Sequence, residues 1–185
     1  MENREELRLS LLDGEWPEFP ADHDRVIVRA IVINAEGKYV FVRIRRDDEF
    51  GKATLIETSG GGVEPGEELT AAIRRELKEE LGAEVEILCK LGVVSDYYNL
   101  IRRHNINHYY LCRAVSFGET DRTAQEIDDF HMTAQCLSYE EALREYEDCR
   151  CSKLGRLIAN REVPVLERAQ EFLRYSGIKE AFLCV

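Results

Sequence analysis

Three glutamates, Glu76, Glu79 and Glu80, crowd the stretch "RRELKEELGA", and three consecutive glycines, Gly60, Gly61 and Gly62, lie upstream in "TSGGGVEPGEEL". On an α-helix with about 100° between successive residues, Glu79 and Glu80 fall about 60° and 40° to either side of Glu76. Ile73, Leu77 and Leu81 fill the adjoining arc, while Ala71, Arg74 and Lys78 take the outermost one. The acids therefore flank a core seam rather than the most solvated face. Crowded carboxylates repel, so a cation is their natural companion. Oxygen ligands without Cys or His suit Mg²⁺ or Mn²⁺, which keep several waters and share their shell with substrate phosphates. Ala72, small and lying between the acids on the wheel, is expected to leave an approach open. The glycines admit a ligand close to the backbone, where a free carbonyl can complete the coordination. Arg75, four residues before Glu79, is placed to hold that carboxylate in one rotamer and lower its proton affinity.

Taken alone, a charge run such as "RELKEE" is more often a solvated helix face. The wider spacing reverses that preference. Gly61, five residues, Glu67, seven residues and then Arg75-Glu76-Leu77-Lys78-Glu79-Glu80-Leu81-Gly82 fix seven identities, a coincidence on the order of once in 10⁸ starts. From Gly61 to Ala83 this resembles the signature of the Nudix (MutT-like) hydrolases, GX5EX7REUXEEXGU with U aliphatic. Only Ala83, small for the last position, departs from it, with Val85 close behind.

The resemblance extends over residues 25–146 and implies an α/β fold, an α/β/α sandwich with a mixed central sheet. It implies divalent-metal-dependent hydrolysis of a diphosphate linkage in a nucleoside-diphosphate-linked substrate: ADP-ribose or a nucleotide sugar, a nucleoside triphosphate or a dinucleoside polyphosphate. By position, Glu76, Glu79, Glu80 and the Gly61 carbonyl become metal ligands for Mg²⁺ or Mn²⁺, Arg75 orients them, and Glu67 is a supporting carboxylate. The general base is a helix glutamate or a loop acid, Glu126 in "TAQEIDDF", with Glu119, Asp128 and Asp129 as rivals. Glu57 stands four residues before Gly61, as a glutamate does in the ADP-ribose-cleaving branch. The Leu-Pro-Ala usual in that branch is Thr58-Ser59-Gly60 here. Tyr97 and Tyr98 are expected to stack on a base, and Arg43, Arg45 and Arg102 to meet terminal phosphates, since guanidinium matches phosphate geometry. The alternative is a Nudix-fold sensor that binds a nucleotide without cleaving it.

The elements that must position these residues are legible around the box. "RVIVRAIVIN" and "YVFVRIRR" are β-branched runs separated by Ala35-Glu36-Gly37-Lys38, which predicts an antiparallel hairpin. "ATLIETS" is a short strand emptying into the glycines. A helix is expected from Thr70 to Leu81, closed by Gly82. Strands follow at "EVEILCKLGVVSD" and "NHYYLCRAVSF" around a polar loop beginning at Tyr97, then a strand near Met132–Leu137. Ser138 and Glu141 have capping-box spacing for another helix. A last amphipathic helix is predicted over 163–175 with Pro164 in its first turn. The organisation is read as a leader, 1–24, and one domain, 25–185.

Composition sets the outer bounds. The 185 residues, 44% hydrophobic and 33% charged, suit one ordinary globular domain. A net charge of −11 argues against gripping long nucleic acid, which takes clustered Lys and Arg, and suits acids awaiting metal for a nucleotide-like small molecule. The six cysteines lack paired CxxC spacing, so reduced thiols are expected. The absence of an uninterrupted apolar run near Met1 predicts no membrane association and a cytoplasmic protein. A homodimer is compatible with this fold class.

Overall fold

The computed structural model describes residues 6–121 and 132–175. The two β-branched runs form β2 (His23–Ile33) and β3 (Tyr39–Asp48), which pair antiparallel as expected, but only at Val32 and Ile33 against Val40 and Tyr39. The side chain of Asn34 closes their turn by accepting from the N–H groups of Glu36 and Lys38, and Gly37 supplies φ 74°. Toward the other end of β2, the glycine strand β5 (Ser59–Gly62) takes the place of β3, pairing Ile27–Ala30 with Gly62–Ser59. The sheet therefore splits between β2 and β3. The residues singled out as candidates in the glycine strand and the carboxylate helix lie beside this split.

On its other side β2 runs parallel to β7 (Arg103–Phe117), which pairs antiparallel with β6 (Ala83–Tyr98). β4 (Gly51–Glu57) and β8 (Thr133–Leu137) both pair with β3. β1 (Leu7–Leu11), within the segment read as a leader, lies parallel to β6 as an edge strand. Gly92 makes that approach possible, because a Cβ there would lie 2.1 Å from the Leu7 carbonyl oxygen. Helix α1 (Leu69–Leu81) covers one face of this mixed sheet, and α2 (Tyr139–Cys149) and α3 (Lys153–Tyr175) cover the other. Ile73, Leu77 and Leu81 of α1 meet Val28, Ala30 and Leu111 in one continuous core that also takes in Ile158, Val165 and Leu166 of α3.

Local signals explain the helix ends. Gly82, at φ 65°, donates to the Leu77 and Lys78 carbonyls and closes α1. Ser138 and Glu141 make the reciprocal capping box that opens α2. Three expectations change. α3 begins ten residues earlier than the sequence predicts, because the Ser152 hydroxyl accepts from the Gly155 N–H at 3.0 Å and starts the helix there. Pro164 then sits inside the helix, and the lost backbone bond is offset by the apolar residues α3 buries on both sides of it. The loop expected from Tyr97 shrinks to a single 3₁₀ turn, Asn99–Ile101, closed by Arg102 at φ 51°. Ala72 is fully buried in the core, so its small size serves helix packing rather than access to the acids. Among the described residues no helix is long and apolar enough to cross a membrane.

Candidate functional site

The glycine strand and α1 lie against each other, and the identity of each glycine follows from what it touches. Gly60, at φ 145°, has the Val28 carbonyl oxygen 2.0 Å from where a Cβ would stand. At Gly61 a Cβ would lie 2.5–2.6 Å from the Glu76 carboxyl group. The first glycine lets two strands approach, and the second leaves a cradle beside a carboxylate.

Arg75 organises the acids. Its Nε and Nη2 donate to the two carboxylate oxygens of Glu67 at 2.9 Å each. Its Nη1 donates to Glu76 at 2.8 Å and Glu79 at 3.2 Å, and Nη2 also donates to the Gly62 carbonyl at 3.1 Å. The fork of donors on a planar guanidinium makes this many-partnered grip possible. The hydrogen bonds that Arg75 donates hold the Glu67 carboxyl down at about 2, and the same bonds push the Arg75 guanidinium further up. Glu67 also accepts from the Glu64 N–H, which fixes the turn before α1.

Glu80 is held separately. Its Oε2 accepts from the Ser59 hydroxyl at 2.5 Å and from the Gly60 N–H at 3.0 Å. Burial raises its pKa to about 7 despite those donors, and the Glu76 charge adds to the rise. Glu76 and Glu80 are buried, whereas the Glu79 side chain remains 38% exposed. The helical-wheel placement of the acids beside the core seam therefore matches their burial.

A cavity of about 160 Å³ opens next to Glu80, lined by Arg29, Val42, Ile44, Arg46, Glu57, Thr58, Gly60 and Met132. Its polar floor connects to a buried network. Arg29 Nη1 donates to the Thr58 carbonyl at 3.0 Å and lies 3.4 Å from Glu57. Arg161 of α3, 1% exposed, donates to Glu57 at 3.1 Å, Asp96 at 3.2 Å, Glu162 at 2.9 Å and the Tyr98 hydroxyl at 2.8 Å. Burial by itself would raise the pKa of Glu57. The Arg29 and Arg161 charges overcome it, so Glu57 titrates below the usual carboxylate value.

The family model for the NUDIX domain matches residues 23–150 of this chain. The chain belongs to the NUDIX family. Two curated relatives named nucleoside triphosphatase NudI are similar to it. The one from Enterobacter sp. (strain 638) is 43% identical over 65 residues, and the one from Escherichia coli (strain K12 / DH10B) 41% over 61. The alignments take in 34% and 33% of this chain and 43% and 42% of those proteins. The chain thus matches less than half the length of these curated relatives. Among solved structures, the MutT protein from Methanosarcina mazei Go1 superposes with a TM-score of 0.58 at 20% identity, covering 84% of this chain and 97% of that one. A NUDIX hydrolase from Nitrosomonas europaea gives 0.56 at 21% identity, covering 68% and 79%. At these identities the likeness is one of fold.

Several residues expected around the NUDIX helix stand elsewhere. Strand alternation puts Val42, Ile44 and Arg46 on the cavity side of β3 and Phe41, Arg43 and Arg45 on the other. Phe41 packs edge-on against Tyr146 of α2, Arg43 pairs with Glu145 at 2.7 Å, and Arg45 is exposed. The β3 cation that lines the cavity, beside Arg29 of β2, is Arg46, in phase with the two apolar residues before it. Tyr97 stacks on His104 with ring centroids 4.4 Å apart, and Tyr98 is buried in the Arg161 network. Arg102 pairs with Asp22 at 2.8 Å at the end of the sheet. Glu126, Asp128 and Asp129 lie outside the described residues. On either side of them, the Asp121 N–H donates to the Glu79 carbonyl and Met132 lines the cavity.

Sequence reasoning missed Ser59, Arg29 and Arg161. Ser59 appeared only as a departure from a motif, and Arg29 as a member of an apolar strand. The signal for Arg161 is an Arg-Glu pair interrupting the apolar face of what proves to be a long helix. Among the described residues no three acid, His or Cys side chains already converge on one point. The donor set nevertheless fits a hard divalent cation: Glu76, Glu79 and Glu80 offer only oxygen, and the space a Cβ would take at Gly61 adjoins the Glu76 carboxyl.

Proposed function

We propose that this chain hydrolyses a diphosphate linkage in a nucleoside-diphosphate-linked substrate, with Mg²⁺ or Mn²⁺ held by Glu76, Glu79, Glu80 and the Gly61 carbonyl. The observation that carries this reading is the Arg75-bound set of carboxylates lying against the glycines of β5, with a cavity reaching Glu80. A divalent cation bound there would neutralise phosphate charge and make a water acidic enough to attack phosphorus. The chain's own residues supply the rest. Arg75 fixes Glu67, Glu76 and Glu79, so these side chains need little rearrangement on binding. Ser59 and Gly60 orient Glu80. Arg29 and Arg46 place positive charge in a cavity wall that also carries the apolar surfaces of Val42, Ile44 and Met132, a combination suited to an anionic ligand with an apolar body. A carboxylate, either on the helix or Glu126, takes the proton of the attacking water.

The name of the curated relatives puts nucleoside triphosphates first among the substrates to assay. ADP-ribose, nucleotide sugars and dinucleoside polyphosphates follow. Incubation of the chain with each at millimolar Mg²⁺, with products identified by mass, should show cleavage at a phosphoanhydride bond in at least one. Binding without cleavage across the whole panel would overturn the hydrolase reading in favour of a nucleotide sensor.

A further inference from the structure

Ser95 of β6, His104 of β7 and Asp24 of β2 join in a line of hydrogen bonds that the diphosphate reaction does not use. Ser95 Oγ lies 2.7 Å from His104 Nε2, and His104 Nδ1 lies 2.7 Å from Asp24 Oδ1. Strand register puts the three side chains on one face of the sheet, because Asp24 and Tyr97 both stand level with His104 and Ser95 is two residues from Tyr97. A carboxylate only accepts, so in the neutral ring Nδ1 carries the proton and Nε2 is left to accept from the Ser95 hydroxyl. Tyr97 stacks on the imidazole with the two planes 16° apart, and only 15% of the His104 side chain is exposed, so the ring has little freedom to turn away. Nucleophile, base and orienting acid stand in the order and within the reach that activate a serine.

The surroundings set what reacts. Tyr97 also lines a cleft of about 540 Å³ together with Leu12, Phe19, Pro20 and Ala21. Leu12 is 81% exposed and Phe19 51%, so apolar surface stands free, one step along the sheet face from the serine, to receive an acyl chain. Glu18 in the same wall disfavours an anionic donor, which leaves a neutral one. We propose that Ser95 is an activated nucleophile that takes the acyl group of a neutral carboxylic ester, with His104 as its base and Asp24 holding the imidazole. Ser95 Oγ bonds to the carbonyl carbon as its proton passes to His104 Nε2. The tetrahedral adduct then expels the alkoxide, which takes that proton and leaves as the alcohol. Water, giving its proton to the same nitrogen, later hydrolyses the serine ester to the carboxylic acid and free Ser95. Ser95 lies between β1 and β7, whose ladders engage the backbone N–H groups of its strand, so the strand itself offers the oxyanion no donor. Acylation therefore needs a good leaving group, and a slow second step lets the acylated serine accumulate.

The full chain, incubated with p-nitrophenyl butyrate in EDTA at pH 8, is followed by nitrophenolate release and by peptide mass spectrometry after an acid quench. The metal-free buffer keeps the outcome independent of the diphosphate reaction. Wild type should release nitrophenolate in a burst of about one equivalent and carry the butyryl group on Ser95. Ser95→Ala should abolish the burst, His104→Gln should slow it about 100-fold, and Asp24→Asn about tenfold. The Asp24 side chain is 66% exposed, so Asp24→Asn should unfold within about 2 °C of wild type and carries the comparison on its own. Butyryl groups found on lysines with none on Ser95, or Ser95 acylated as fast in Asp24→Asn as in wild type, would overturn the proposal.

Discussion

Replacing Glu80 by Gln should make the metal-free protein more stable at alkaline pH and catalytically inert. The carboxyl is 6% exposed, and burial moves its pKa from the ordinary 4.5 to about 7. Between those values the folded chain holds a proton that the unfolded chain has released, so stability falls as pH rises through this window. At 1.36 kcal/mol for each pH unit between the two pKa values, the loss from this group approaches about 3 kcal/mol by pH 8. The Gln amide keeps an oxygen for the Ser59 hydroxyl and the Gly60 N–H but cannot ionise, so the variant escapes the loss. Urea unfolding of both proteins in EDTA from pH 4.5 to 8 reads the difference directly. The variant should gain on wild type by about 3 kcal/mol across that range, and Mg²⁺ should restore wild type at pH 8 without helping the variant. Parallel pH profiles for the two proteins would refute the assignment of a buried, proton-holding Glu80.

Arg161→Met should destabilise by about 3–5 kcal/mol in urea unfolding, because it strands Glu57, Asp96 and Glu162 without their shared cation. Adding Glu162→Gln to that variant should recover part of the loss. Gly61→Ala should fold, as judged by its thermal transition, yet lose about 100-fold in turnover, since its methyl displaces the Glu76 carboxyl. Gly60→Ala should fail to fold, because its Cβ meets the Val28 carbonyl oxygen. The Glu67 carboxyl, held at about 2 by Arg75, contributes stability that is present above the ordinary 4.5 and disappears as pH falls through 2. Acid unfolding of wild type and Glu67→Gln should therefore converge over that window.

The box was legible because its chemistry is local. A helix fixes the angle between Glu76, Glu79 and Glu80 from spacing alone, and Gly82 ends the helix where its left-handed backbone is needed. The hairpin of β2 and β3 and the capping box of α2 rest on signals equally close in sequence. What lay beyond reach depends on contacts between distant segments. Arg161 meets Glu57 across 104 residues, and nothing local in "ANREVP" says that its charge will be buried. Arg43 and Arg45, which share a strand face, are expected at phosphates because guanidinium matches phosphate geometry. That face meets α2, and one residue of phase hands the cavity to Arg46. Tyr97 and Tyr98 read as loop residues because the polar run after them hid how far β6 and β7 continue.

In the proposed function the carboxylates of α1 serve metal-dependent cleavage of a diphosphate bond. Wild type and Glu79→Gln, assayed side by side on the best-cleaved nucleotide in H₂¹⁸O with and without Mg²⁺, test it most directly. Glu79 is the most exposed of the three acids, so its loss should leave the fold intact. Label from ¹⁸O is expected in a phosphate product only for wild type with Mg²⁺. Labelled product from Glu79→Gln at the wild-type rate, or from wild type in EDTA, would contradict it.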